Sequence, residues 1–222
     1  MEIENETIIK KQLPIETMKK AAKGITYIAH PLRLRILEYL DVYGSSSVSN
    51  ITKALKEDQI MIPQNLKKLR DANLVKTKRK GIFIYYNINE EYPASLFHCI
   101  RKLYGFMTEQ IKFLEDDYKE ILPIDFTTMT ANRIKLFAHF DKMRILEYLT
   151  IKGESCVSDI VKGINIEQIK VSQYLKKLHD DDFVKSRRDG RFIYYSITKG
   201  IHKTSIQCIH RRFDSLKDKN DF

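Results

Sequence analysis

The chain has 222 residues, 43% of them hydrophobic, with 39 Lys and Arg against 29 Asp and Glu and a net charge of +10. That hydrophobic share excludes a disordered polyampholyte, and no uncharged apolar stretch approaches the roughly 20 residues a bilayer-spanning helix needs. Three separated cysteines exclude a disulfide framework, and the basic excess favours a polyanionic partner, since phosphate contacts supply most non-specific nucleic-acid affinity.

Residues 13–104 recur as residues 122–213 at a constant offset of 109, and 38 of the 92 aligned positions are identical. The chain therefore reads as a tandem duplication. Its expected segments are an N-terminal extension (1–12), a first repeat (13–104), a helical connector (105–121) and a second repeat (122–222). The start, Met1–Thr7, is acidic and polar with no apolar signal core, so a cytoplasmic location is expected.

In each repeat Pro14 or Pro123 suits the first turn of a helix reaching about Ile28 or Phe137. The segment HPLRLRILEYL follows, with Leu32, Ile36 and Leu40 on one helical stripe and Leu37 beside them. Gly44 and Gly153 close that helix, and a short third helix is expected over Val48–Leu55 and Val157–Ile164. The fourth helix turns Ile62, Leu66 and Leu69, or Val171, Leu175 and Leu178, inward. Its opposite face carries Gln64, Lys67 and Lys68 in one repeat and Gln173, Lys176 and Lys177 in the other. Two helices joined by a few polar residues, the second with an exposed amide-and-lysine face, are what a helix-turn-helix requires.

The period then changes to two. KTKRKGIFIYYNI and KSRRDGRFIYYSI each read as a basic strand, a turn at Gly81 or Gly190, and an aromatic strand. A hairpin with cationic tips after a helix-turn-helix is a wing. A fifth helix is expected from near Pro93 and near His202. The fold class is thus mainly α with small β-hairpin wings: two tandem winged helix-turn-helix domains packed as an internal pseudo-dimer.

AHPLRLRILEYL and VSQYLKKLHDDDFVKSRRDGRFIYYSI resemble the ArsR/SmtB family of winged helix-turn-helix repressors. The resemblance covers nearly all of both repeats and is better in the second. It implies a regulator that binds operator double-stranded DNA and releases it on a chemical signal, commonly as a homodimer joined through first and last helices. By that similarity Gln168, Lys170, Ser172, Gln173 and Tyr174 face the major groove with Lys177 beside them, and Arg187, Arg188 and Arg191 grip phosphates or enter the minor groove. Gln pairs bidentately with adenine and Lys with guanine acceptors, so the residue types suit base reading.

The first repeat departs from the pattern, with Met61, Pro63 and Asn65 where the second has Lys170, Ser172 and Tyr174. Pro63 is harmless only if its helix starts later than Asp58 implies. Gln59, Gln64, Asn65 and Lys68 remain as candidate contacts, with Lys78, Arg79 and Lys80 on the wing. Degenerate base reading with retained phosphate binding is expected of this arm.

Metal-responsive members of the family use a Cys-x-Cys where this chain has Cys156-Val157-Ser158, and one thiol makes a poor metal site. No metal or cofactor is expected, and His30 and His139, in the loop before the second helix, read as residues that cap or pack there rather than bind metal. Cys99 and Cys208 are equivalent, on the last helices, and form a candidate redox pair if the repeats face each other. No phosphate loop, nucleophile motif or paired carboxylates point to an enzyme. The rival reading is a winged-helix interaction module for protein or RNA, favoured by Met61, Pro63 and the acidic run Asp180–Asp182.

Overall fold

The structure, a computed structural model, describes residues 11–90 and 120–198, with 97, 100, 101, 104, 105, 108–110, 112 and 115 between them. Each repeat opens with a long helix, α1 (Ile15–Ile28) or α5 (Ile124–Phe137). Helices α2 (Pro31–Tyr43) and α6 (Phe140–Lys152) follow, and each stops at a glycine whose positive φ only glycine adopts cheaply, Gly44 at 71° and Gly153 at 76°. A two-residue strand comes next, β1 (Ser46–Ser47) or β4 (Ser155–Cys156). Helices α3 (Val48–Leu55) and α7 (Val157–Ile164) end on left-handed Lys56 and Asn165, a short turn that delivers α4 (Met61–Asp71) and α8 (Gln168–Asp180).

Hairpins complete the pattern: β2 (Val75–Lys80) with β3 (Phe83–Ile88), and β5 (Val184–Asp189) with β6 (Phe192–Ile197). Each forms a three-stranded antiparallel sheet, in the order β1-β3-β2 or β4-β6-β5. Their registers are equivalent, Lys80 opposite Phe83 and Asp189 opposite Phe192 at the tips. The expected apolar stripes are the core: Ile62, Leu66, Leu69, Val171, Leu175 and Leu178 are fully buried. Among the described residues no helix is long and apolar enough to cross a membrane. The expected helix starts near Pro93 and His202, together with Cys99 and Cys208, lie outside the described residues.

The compact units do not follow the repeat boundaries. One joins residues 1–22 to 136–222, and the other is residues 23–135. The first unit's Leu13 and the second unit's Leu122 explain the division. Leu13 donates its backbone N–H to Glu147 Oε1 at 2.7 Å, and Leu122 donates to Glu38 Oε1 at 2.9 Å. Glu38 and Glu147 are the same repeat position, as are Leu13 and Leu122. Each repeat's leading helix therefore begins against a buried carboxylate of the other repeat's second helix. Leu122, Phe126 and Ala131 accordingly belong to one core with Leu37, Leu66 and Leu69.

Glu38 is 1% exposed and its carboxyl is pushed up to about 7. Burial is the main cause, opposed by the Leu122 N–H, by Arg101 and Arg35, and by the Thr127 hydroxyl. Arg101 itself pairs with Asp41 at 2.6 Å.

Candidate nucleic-acid interface

Helix α8 presents what the apolar period leaves over. With Val171, Leu175 and Leu178 turned inward, Gln168, Lys170, Ser172, Gln173, Lys176 and Lys177 are all exposed. Lys170 meets the Glu167 carboxylate at 3.1 Å, which holds its ammonium above the usual lysine range. Tyr174 is only half exposed. Its hydroxyl lies 3.3 Å from His139 Nε2, and the two rings tilt at 4.7 Å. Burial, then Asp141, pushes its phenol up. Tyr174 thus links the ridge to the start of α6, and His139 packs rather than capping that helix.

Helix α4 differs at its start. Asp58 Oδ1 accepts from the Ile60 N–H at 2.7 Å, and the helix begins only at Met61. Pro63 is therefore its third residue, where the missing N–H would have had no intrahelical acceptor. Gln59 consequently lies in the preceding turn, whereas its equivalent Gln168 opens α8. Asn65 is a correction. Expected on the exposed face, it is 3% exposed and donates its amide to the Met61 carbonyl at 2.9 Å. A short side chain at the edge of the apolar stripe bonds back one turn instead of reaching outward. Gln64, Lys67 and Lys68 remain exposed.

The wings share a backbone and differ in charge. In β2–β3, Lys78, Arg79 and Lys80 are exposed, and the segment Val75–Ile88 contains no acidic residue. Arg79 steadies the turn by donating to the Gly81 carbonyl at 3.0 Å, as Arg188 does to Gly190 at 3.2 Å. In β5–β6, Arg187 is engaged twice, by Glu154 at 2.8 Å and Asp189 at 3.0 Å. The Glu154 hydrogen bond raises the guanidinium further above its ordinary value, and Arg187 holds Glu154 below the usual carboxylate range. The first repeat has Ser45 and Lys80 at those acidic positions. Glu154 lies 33 residues from Arg187, a separation no local spacing rule would flag. Arg191, at the tip, lies over the Phe192 ring at 5.0 Å.

Cys156 stands at the N-cap of α7, its thiol 3.0 Å from Asp159 Oδ2 and 2.9 Å from Ser158 Oγ. The equivalent Ser47 caps α3 through the Asn50 N–H at 3.3 Å. Among the described residues no group of three His, Cys, Asp or Glu side chains is placed to hold a metal ion.

A family model described as bacterial regulatory protein, arsR family, matches residues 141–186, from the start of α6 into β5. The transcriptional repressor PagR of Bacillus anthracis is 34% identical over 73 residues, covering 33% of this chain and 73% of that protein. The arsenical resistance operon repressor of Bacillus subtilis is 32% identical over 76 residues, 34% of this chain and 72% of its own length. An HTH-type transcriptional regulator of Methanocaldococcus jannaschii is 30% identical over 89 residues, 40% of this chain and 100% of its own.

Proposed function

The chain belongs to the arsR family of bacterial regulatory proteins, and from that premise we propose that it is a transcriptional repressor carrying two DNA-binding arms in one polypeptide. The observation that carries the reading is the ridge of α8, exposed Lys170, Ser172, Gln173, Lys176 and Lys177 above fully buried Val171, Leu175 and Leu178. Amide and ammonium groups in that arrangement reach base edges in the major groove, while the hairpin cations meet phosphates.

The two repeats act as an internal pseudo-dimer, a reading supported by the exchange of leading helices between equivalent Leu–Glu pairs. One polypeptide then presents two half-sites about one helical turn apart, near 34–36 Å. Covalent linkage raises the effective concentration of the second arm once the first has bound. It also lets the half-sites differ, so the operator need not be a palindrome. Gln168, Lys170, Ser172, Gln173 and Lys177 read bases in this scheme, with Tyr174 positioning the ridge. Gln64 and Lys68 contribute weakly, and Lys78, Arg79, Lys80, Arg188 and Arg191 hold the backbone.

Selection of bound sequences from a random duplex pool, followed by a salt titration, tests this. An enriched two-part site and an affinity falling steeply with salt are expected. Absence of binding to any duplex at low salt would overturn the reading in favour of a protein- or RNA-binding module.

A further inference from the structure

The two wing tips occupy one backbone position with opposite chemistry. Both turns place a glycine in the left-handed region, Gly81 at φ 61° and Gly190 at φ 57°, followed by Ile82 or Arg191. Such a two-residue turn needs glycine first and makes no demand on the second residue. Isoleucine at the tip is therefore not explained by the turn, and it is 83% exposed. Phe83 and Ile84 behind it are 55% and 48% exposed. In the second repeat the Arg191 guanidinium lies over Phe192 instead.

The surroundings of Ile82 indicate what covers it. Lys78, Arg79 and Lys80 lie on the strand just before the Gly81 turn, with no acidic side chain in the hairpin, so a polyanion is drawn to the tip and another basic surface is repelled. Isoleucine is one of the side chains that minor-groove proteins insert between base steps, unstacking them and kinking the duplex. Unstacking is cheapest at pyrimidine–purine steps, so such a wedge selects sequence through deformability without hydrogen-bonding a base.

Resting on the DNA-binding reading above, we propose that Ile82 is an apolar wedge entering a minor-groove base step, so that the first repeat selects a deformable step while the second reads base edges. The operator is then bent at the first repeat's end and nearly straight at the other. The weak amide-and-lysine face of α4 is offset by this second kind of selectivity.

The test uses the full chain on its selected duplex, carrying end dyes for energy transfer and 2-aminopurine at the candidate step. The unaltered chain should shorten the end-to-end distance, brighten 2-aminopurine, and prefer a TA or CA step over a stiff A-tract by about tenfold. Ile82→Ala should abolish the bend, the brightening and the preference while its thermal unfolding stays unchanged, because Ile82 touches no core. Arg191→Ile should introduce a second bend. If Ile82→Ala binds with the same salt slope, bend and step preference as the parent chain, the wedge is overturned and the DNA-binding reading stands. If the parent chain binds no duplex at low salt, both are overturned.

Discussion

Helix α8 and hairpin β2–β3 belong to different repeats, and each is the better half of its own motif. Helix α8 is two residues longer than α4 and has an unobstructed polar ridge, but its wing spends Arg187 on Glu154 and Asp189. In the first repeat the helix starts late and buries Asn65, while the wing keeps its cations unneutralised by any described carboxylate. A shared backbone therefore does not mean a shared task. On the proposed function, joining the arms lets one concentrate on base edges and the other on phosphate, because each would hold the other near the duplex.

Removing the ridge breaks this division most severely. Lys170→Ala with Gln173→Ala should weaken specific binding by about a hundredfold or more, two lost base contacts at roughly 1–3 kcal/mol each, measured by fluorescence anisotropy on the selected site. Gln64→Ala should cost only a few-fold. The reverse order would make the first repeat the reading arm.

Next in size is a stability effect at the Leu122–Glu38 contact. Glu38 titrates near 7 when folded, against 4.5 for the free group. Between those values the folded chain keeps a proton that the unfolded chain has released, so stability falls as pH rises from about 4.5 to about 7 and is flat beyond. Glu38→Gln keeps an acceptor for the Leu122 N–H and removes the ionisation. It should remove this pH slope and stabilise the protein at pH 8 by at most about 3 kcal/mol, read from denaturant midpoints. A parent chain whose stability rises over that range would contradict the burial of this carboxylate.

The wings give a smaller contrast, read in salt dependence. Replacing Lys78, Arg79 and Lys80 together by Ala should reduce the slope of log affinity against log salt by about 2.7, or about 0.9 per phosphate contact. Arg187→Ala should reduce it by well under one unit, since that guanidinium is already neutralised. Glu154→Gln is the smallest change. It leaves Arg187 paired only with Asp189 and should tighten low-salt binding about two- to threefold, exposed pairs being worth little. Equal slopes for the two wings would remove the contrast altogether.

How far these arms could be read from sequence depended on the range of the forces involved. The stripe Ile62, Leu66, Leu69 and its counterpart follow the helical period, and the short helices Val48–Leu55 and Val157–Ile164 fall where the turn residues placed them. The wings were legible for the same reason, alternation around a glycine. Periodicity alone does not place Asn65, because it sits at the margin of the stripe, where one bond to Met61 decides its direction. Gln59 fell off its helix because the Asp58 turn postpones the start. The Arg187–Glu154 pair and the Leu13–Glu147 and Leu122–Glu38 bonds join segments far apart in the chain, and no periodic pattern encodes them.

The exchanged leading helices also govern the order in which a nascent chain can mature. Leu13 waits 134 positions for Glu147, so the opening segment leaves the ribosome long before its carboxylate exists. Glu38 waits 84 positions for Leu122, which makes residues 23–135 the first part able to close. A transcript interrupted between the repeats would yield a first half lacking the helix whose Leu122, Phe126 and Ala131 complete its core, and such a fragment would expose apolar surface prone to aggregation.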